Sequence, residues 1–183
     1  SDATISSAPP RLLFVGNLQH RPNAQGIDTF LGTSWPTLAE TFPQLELHIV
    51  GPGASEELRA RHGRRVIFHG YVDDVRPHLA AATVMVVPIF SGGGTRLKVL
   101  EALASGTPLV STSLGSEGLS ITNGREALLA DSAPDFQNGV ATLLRQPERR
   151  AALADAGRRL VEERYSWASI RSGLEKAWME VCC

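Results

Sequence analysis

The sequence predicts an α/β domain: a doubly wound parallel sheet of about six strands, with helices on both faces and a helical C-terminus. Three observations predict it. Short apolar runs alternate with segments whose apolar residues recur at helical spacing, the pattern of buried parallel strands joined by crossover helices. The runs end in Gly, Pro, Asn or Asp, the residues that turns require. From Asp135 onward the apolar spacing is helical throughout.

Taken in order, Arg11–Leu18 (RLLFVGNL) is a continuous apolar run closed by a glycine turn, and reads as a fully buried strand. Asn23–Phe42 carries Ile27, Phe30, Leu31, Trp35 and Leu38 at helical spacing, with Pro36 expected to kink or interrupt it. Leu45–Val50 is a second strand, stopped by Gly51-Pro52-Gly53. Ser55 is placed to cap a short helix through Arg61. Val66–Val72 is a third strand, and Asp73 or Asp74 is expected to cap a helix to about Ala82. Val84–Pro88 is a fourth; a glycine loop then leads into a helix from Thr95 to Ser105, with Thr95 as its N-cap. Pro108–Thr112 and Ala127–Ala130 are the fifth and sixth. Helices follow at about 135–145, 148–164 and 167–181, with a break at Pro147 and Ser166 capping the last. Such an order is Rossmann-like. Ligands of these sheets bind beyond the carboxyl ends of the strands, so loops 16–25, 51–54, 70–73, 89–95 and 112–119 are expected to share one edge.

The 183 residues suffice for one substantial core. With 18 Lys+Arg against 19 Asp+Glu the net charge is −1, so no net basic field exists to hold nucleic acid or an anionic membrane. Aromatic residues are 6%, too few for base-stacking surfaces. Cys182 and Cys183 are adjacent at the terminus; they staple nothing distant and lack metal-ligand spacing. His20, His48, His62, His69 and His78 read as scattered structural or surface residues, with His20 the one placed to line a cleft. No metal site is expected. No apolar run approaches the roughly 20 residues of a membrane span. Residues 1–10 (SDATISSAPP) read as a linker or cloning remnant, residues 11–183 as the folded domain, and the whole as one piece of a longer protein.

Chemistry concentrates in Ser91–Gly106 (SGGGTRLKVLEALASG). The dinucleotide fingerprint fails, because Glu56 stands where the third glycine after Gly51 and Gly53 belongs. The Walker sequence fails too, since no Gly-Lys-Ser/Thr triplet occurs. What remains is a loop–helix anion site. Gly92, Gly93 and Gly94 let backbone N–H groups approach a phosphate, and the following helix start adds partial positive charge and free N–H donors. Arg96 and Lys98 oppose the helix dipole at that end, which disfavours a purely structural role for them. Glu101 lies six residues beyond Thr95, roughly 9 Å at the helical rise, and can accept hydrogen bonds from vicinal hydroxyls. Its alternative role is a surface ion pair with Arg96 or Lys98.

These segments, in this order, resemble the C-terminal, nucleotide-sugar-binding domain of GT-B-fold glycosyltransferases of family 4 (group 1). The resembling stretches are FVGNLQHRPNAQG, LELHIVGPG, VIFHGYVDDVRPHLAAATVMVVP, GGGTRLKVLEALASGTPLVST, the SEGL turn and RRLVEERYSWASI. The resemblance implies a retaining, hexosyltransferase-type enzyme that moves a sugar from a nucleoside-diphosphate sugar to an acceptor: a glycan, lipid or small molecule. It implies no cofactor and no metal. It implies a cytoplasmic protein whose full length can lie against the inner membrane, and a preceding acceptor domain without which this chain is inactive. Two glutamates separated by seven residues mark the donor site in the family. Glu101 matches the second, holding the ribose; Gly93 stands in place of the first. Arg96 and Lys98 are then the catalytic cations that neutralise the diphosphate, with Arg21 a lesser candidate. Gly16 and Asn17 face the diphosphate, and backbone groups at Tyr71 and Val72 read the base. The last helix is expected to brace the other domain, leaving Trp167, Ile170, Leu174 and Trp178 partly exposed. The alternatives are a non-catalytic nucleotide-sugar-binding or regulatory module, favoured by Gly93, and a GT-B-like sugar-nucleotide epimerase.

Overall fold

Six parallel strands form one sheet in the order β3-β2-β1-β4-β5-β6: β1 (Arg11–Val15), β2 (Glu46–Val50), β3 (Val66–Gly70), β4 (Val84–Val87), β5 (Leu109–Ser111) and β6 (Leu128–Leu129). The computed structural model describes residues 9–182; in its last helix, side chains are described at Trp167–Arg171, Glu175, Trp178 and Met179. Most of the 1–10 linker, the side chains of Leu174 and Cys182, and Cys183 therefore lie outside the described residues.

Strand side chains alternate between faces, so β1 sends Leu12 and Phe14 one way and Leu13 the other. On the first face they pack with Ile27, Phe30, Trp35 and Phe136 from α1 (Arg21–Thr33), α2 (Trp35–Thr41) and α6 (Ala133–Arg145). On the second, Leu13, Met85 and Val87 meet Leu79, Val99, Leu103 and Leu160 from α4 (Arg76–Ala81), α5 (Leu97–Ala104) and α7 (Pro147–Arg164). α3 (Glu56–Ala60) adds Leu58 to the first face. α8 (Trp167–Cys182) packs on α7 and leaves Trp167, Ile170 and Trp178 exposed, as expected, with Met179 besides. Among the described residues, no helix is long and apolar enough to cross a membrane.

The expected elements are all present, with Ser55 and Ser166 capping as predicted: Ser55 Oγ accepts from Leu58 N at 3.1 Å, and Ser166 Oγ from Ser169 N at 3.2 Å. Three expectations need correction, and a fourth, the kink or break at Pro36, resolves as a break: the 23–42 segment is two helices meeting at Ser34. Pro22 and Pro36 each sit near a helix start, where a missing N–H costs nothing. Asp73 and Asp74 do not cap α4; Val75 does, with Pro77 just inside, while Asp74 takes up the Arg76 N–H and guanidinium. Thr95 does not cap α5; Arg96 does. The histidines are not all scattered. β2 and β3 set His48 and His69 side by side, with Nδ1 of one 2.9 Å from Nε2 of the other, and α4 lays His78 edge-on against His69. Burial, then the neighbouring His78, His48 and Arg11, lowers the His69 pKa.

Candidate functional site

The strand order runs outward in both directions from β1 and β4, so the crevice beyond their carboxyl ends is the switch point of the sheet. A cavity of about 170 Å³ opens there. Its walls are His20 and Asn23 at the start of α1, Val87 and Ile89 at the end of β4, Gly93 through Lys98 leading into α5, and Gly115 beyond β5. α1, 13 residues long on one face, and α5, 8 residues long on the other, both point their N-termini into it. Two partial positive charges therefore add at one spot. α1 reaches this position because Gly26 lies directly against the Pro88 carbonyl, where a Cβ would collide.

Lys98 crosses the crevice. Its Nζ donates to Asn23 Oδ1 at 2.7 Å, sits 4.9 Å from the centre of the buried Phe14 ring, and lies 2.8 Å from where a Cβ on Gly16 would stand. Burial, with Arg96 adding to it and Glu101 opposing, lowers its pKa from 10.5 to about 8. Lys98 is thus a cation held where its charge is poorly solvated, and an incoming anion would stabilise it.

Arg96 breaks two rules at once. It is the one non-glycine among the described residues with positive φ, at 54°, a left-handed conformation that costs about 1–3 kcal/mol. Its side chain is only 9% exposed, and its buried Nε has no acceptor. The other side of the guanidinium pairs with Glu117, NH2 to Oε2 at 3.5 Å. Glu117 follows a 3₁₀ turn, Leu114–Ser116. Thr112 fixes this turn: its Oγ1 donates to the Ile89 carbonyl and accepts from Gly115 N at 2.9 Å. Ser113 adds bonds from N and Oγ to Asp131 at 2.7 and 2.6 Å.

The cavity gathers Gly93, Gly94, Thr95, Arg96 and Lys98 from the predicted set. Gly92 lies just outside its lining. Because Arg96 is the cap, Glu101 lies five residues beyond it, roughly 7.5 Å along the helix. It is exposed, and among the described residues it forms no ion pair with Arg96 or Lys98. The Gly16 N–H is already committed to the Val50 carbonyl at 2.8 Å, so it is not free for a phosphate. Asn17 spends its Oδ1 on Gln19 N at 2.8 Å and its carbonyl on Asn23 Nδ2 at 2.9 Å, shaping the turn that presents Asn23. Tyr71 is exposed and Val72 half-buried at the end of β3, two strands from β1, or about 10 Å at usual strand spacing. Arg21 is exposed and outside the cavity lining.

Among polar and backbone contributors, Asn23, Gly115 and Glu117 go beyond the residues the sequence assigns to the site, as do the apolar walls Val87, Ile89 and Leu97. Asn23 had a signal, its place one turn into the helix after the first strand. The pairing of Glu117 across 21 residues had none. A larger cavity, about 380 Å³, lies between α7 and the 120–126 segment. It meets no strand end of the switch point, and its arginines are partly spent on Glu126 and Ser120. Volume alone therefore does not choose the site.

The profile of the glycosyl transferases group 1 family matches residues 9–162. The chain belongs to that family. It is 30% identical to a phosphatidyl-myo-inositol mannosyltransferase of Mycobacterium leprae over 97% of the chain and 51% of the relative. Among solved structures it superposes on sucrose-phosphate synthase of Thermosynechococcus elongatus with TM-score 0.77 and 24% identity, over 97% of this chain and 46% of that one. It superposes on Anabaena HepE, solved with UDP and glucose, with TM-score 0.74 and 19% identity, over 94% and 48%. The group 1 chain spans about half the length of the curated relatives it matches, and its α/β fold is that of GT-B glycosyltransferases.

Proposed function

We propose that this chain is the donor-binding domain of a retaining glycosyltransferase. It holds a nucleoside-diphosphate sugar at the β1/β4 crevice and serves an acceptor domain that precedes it in the longer protein. The observation that carries this reading is the pair of under-solvated cations, Lys98 and Arg96, between two convergent helix N-termini. A free surface needs no such arrangement; a diphosphate satisfies it. The family membership supports sugar transfer, and the UDP and glucose found with HepE support the ligand class.

In this reading the diphosphate lies across the start of α5, and Glu101 takes the ribose hydroxyls one turn and a half along. The base extends toward the end of β3, where Tyr71 and Val72 stand. As the glycosidic bond breaks, negative charge grows on the β-phosphate. Lys98, Arg96 and the N–H groups at Gly94–Arg96 are already fixed where it develops, which lowers the barrier without reorganisation. Charge neutralisation is assigned to these groups rather than to a divalent ion. The acceptor, a glycan, lipid or small molecule, is bound by the other domain.

A thermal-shift panel of UDP, GDP and ADP with their glucosyl or mannosyl esters tests the reading, since tight binding raises the melting temperature by mass action. One nucleotide is expected to stand out. Glu101→Ala should then weaken its binding by about 1.5–3 kcal/mol, the scale of a charge-assisted hydrogen bond. If no member of the panel shifts the melting curve, or if Glu101→Ala leaves calorimetric affinity unchanged, the reading fails.

A further inference from the structure

None of the residues that line the crevice cavity is acidic. Cations and N–H groups there are well suited to the diphosphate, but a sugar attached to it carries hydroxyls that seek a strong acceptor. Glu117 is the carboxylate tied to this cavity: its Oε2 lies 3.5 Å from Arg96 NH2, and Gly115, two residues earlier, is part of the cavity wall. A guanidinium presents five N–H donors in a fixed fork and serves two acceptors at once. Arg96 spends one arm on Glu117, and its Nε remains without an acceptor.

We propose that Glu117 is a sugar-positioning residue, held by Arg96 beside the β-phosphate so that its carboxylate accepts hydrogen bonds from hydroxyls of the transferred sugar. The assignment rests on the donor-site reading above. Arg96 then bridges the phosphate and the carboxylate, and the sugar is the group bonded to that phosphate, within reach of both.

Gly93 bears on the same point. Gly92 has φ +87° and needs to be glycine, whereas Gly93 has no left-handed φ, and a Cβ built there meets nothing within 4 Å. The backbone does not demand glycine at 93. Gly93 thus lines the cavity without an acidic side chain, and Glu117, on the segment after β5, is the carboxylate tied to it.

Calorimetry on this chain with UDP and UDP-glucose, GDP and GDP-mannose, and ADP and ADP-glucose separates sugar contacts from nucleotide contacts. Glu117 is 68% exposed, so Glu117→Gln should fold as the parent does, checked by its melting curve. For the pair that the parent binds, Glu117→Gln should leave the nucleoside diphosphate within about twofold and weaken the sugar nucleotide by about tenfold or more. Adding Gly93→Glu to Glu117→Gln should restore the lost discrimination, which a merely structural role for Glu117 does not predict. If Glu117→Gln leaves the ratio of the two affinities unmoved, the assignment is overturned while the donor site stands. If the parent binds none of the six compounds, the donor-site reading falls and this assignment with it.

Discussion

Between α1 and α6, Phe30 and Phe136 meet edge-on at 5.7 Å, both fully buried against the sheet. At the N-terminal end of α1, Lys98 is half-buried against Phe14 with a second cation, Arg96, beside it. In the first region each local choice agrees with the fold: apolar residues at helical spacing, alternating strands, serine caps, prolines at helix starts. In the second, a non-glycine adopts positive φ, a buried Nε lacks an acceptor, and a lysine loses hydration. Arg11 Nε, at the start of β1, also lacks an acceptor, but among the described residues the non-glycine with positive φ and the desolvated lysine fall together at the switch point, as the proposed donor site predicts.

The largest effect should come from breaking the compliant region. Phe136→Ala removes a ring that is 1% exposed and should cost about 3–5 kcal/mol of unfolding free energy, read from urea denaturation. Nucleotide affinity, measured where the variant remains folded, should be unchanged. Lys98→Met should do the reverse. It keeps the length of the side chain and removes the charge whose burial holds the pKa near 8. Stability at pH 7 should stay level or rise by about 1 kcal/mol, while affinity for the best nucleoside diphosphate should fall about 10–100-fold. Equal losses of stability in both variants would erase the contrast between the two regions.

The contrast also explains what the sequence could reveal. The sheet, its order of elements and the Ser55 and Ser166 caps were legible because they follow from periodicity and from local turn chemistry. That Gly93, Gly94, Thr95, Arg96 and Lys98 would line one cavity was legible because they fall within six residues of one another. Pro36 was legible as a kink or an interruption and no further, since a proline inside a periodic stretch fits either until packing decides; the helices that start near Pro22 and Pro36 make it an interruption. Thr95 was misread as the cap because propensity favours threonine there; the turn instead drives Arg96 into a left-handed conformation, which a local reading of side-chain preference cannot see. Glu117 stayed hidden for a different reason. Its pairing depends on Thr112 tying the segment after β5 to Ile89, a long-range hydrogen bond with no periodic trace. The His48–His69–His78 group was missed likewise, because parallel register and not spacing brings it together.

The smallest expected effect is the most diagnostic, because only the under-solvated lysine produces it. Free Lys98 titrates near pH 8 instead of 10.5. A lowered lysine pKa means that the unfolded chain binds more protons than the folded one between those values, so this group's penalty on stability is full below pH 8 and is relieved as pH rises toward 10.5. Ligand binding carries the opposite sign. A diphosphate beside Nζ favours the charged form and raises the pKa in the complex. Below pH 8 the lysine is charged with or without ligand, and affinity should not depend on it. Above pH 8 the free protein must take up a proton to bind, so affinity should decline, by at most about tenfold per pH unit. Calorimetry in buffers of different ionisation enthalpy should detect that proton uptake near pH 8.5. Lys98→Met should abolish it, and an uptake that survives the substitution would place the titrating group elsewhere.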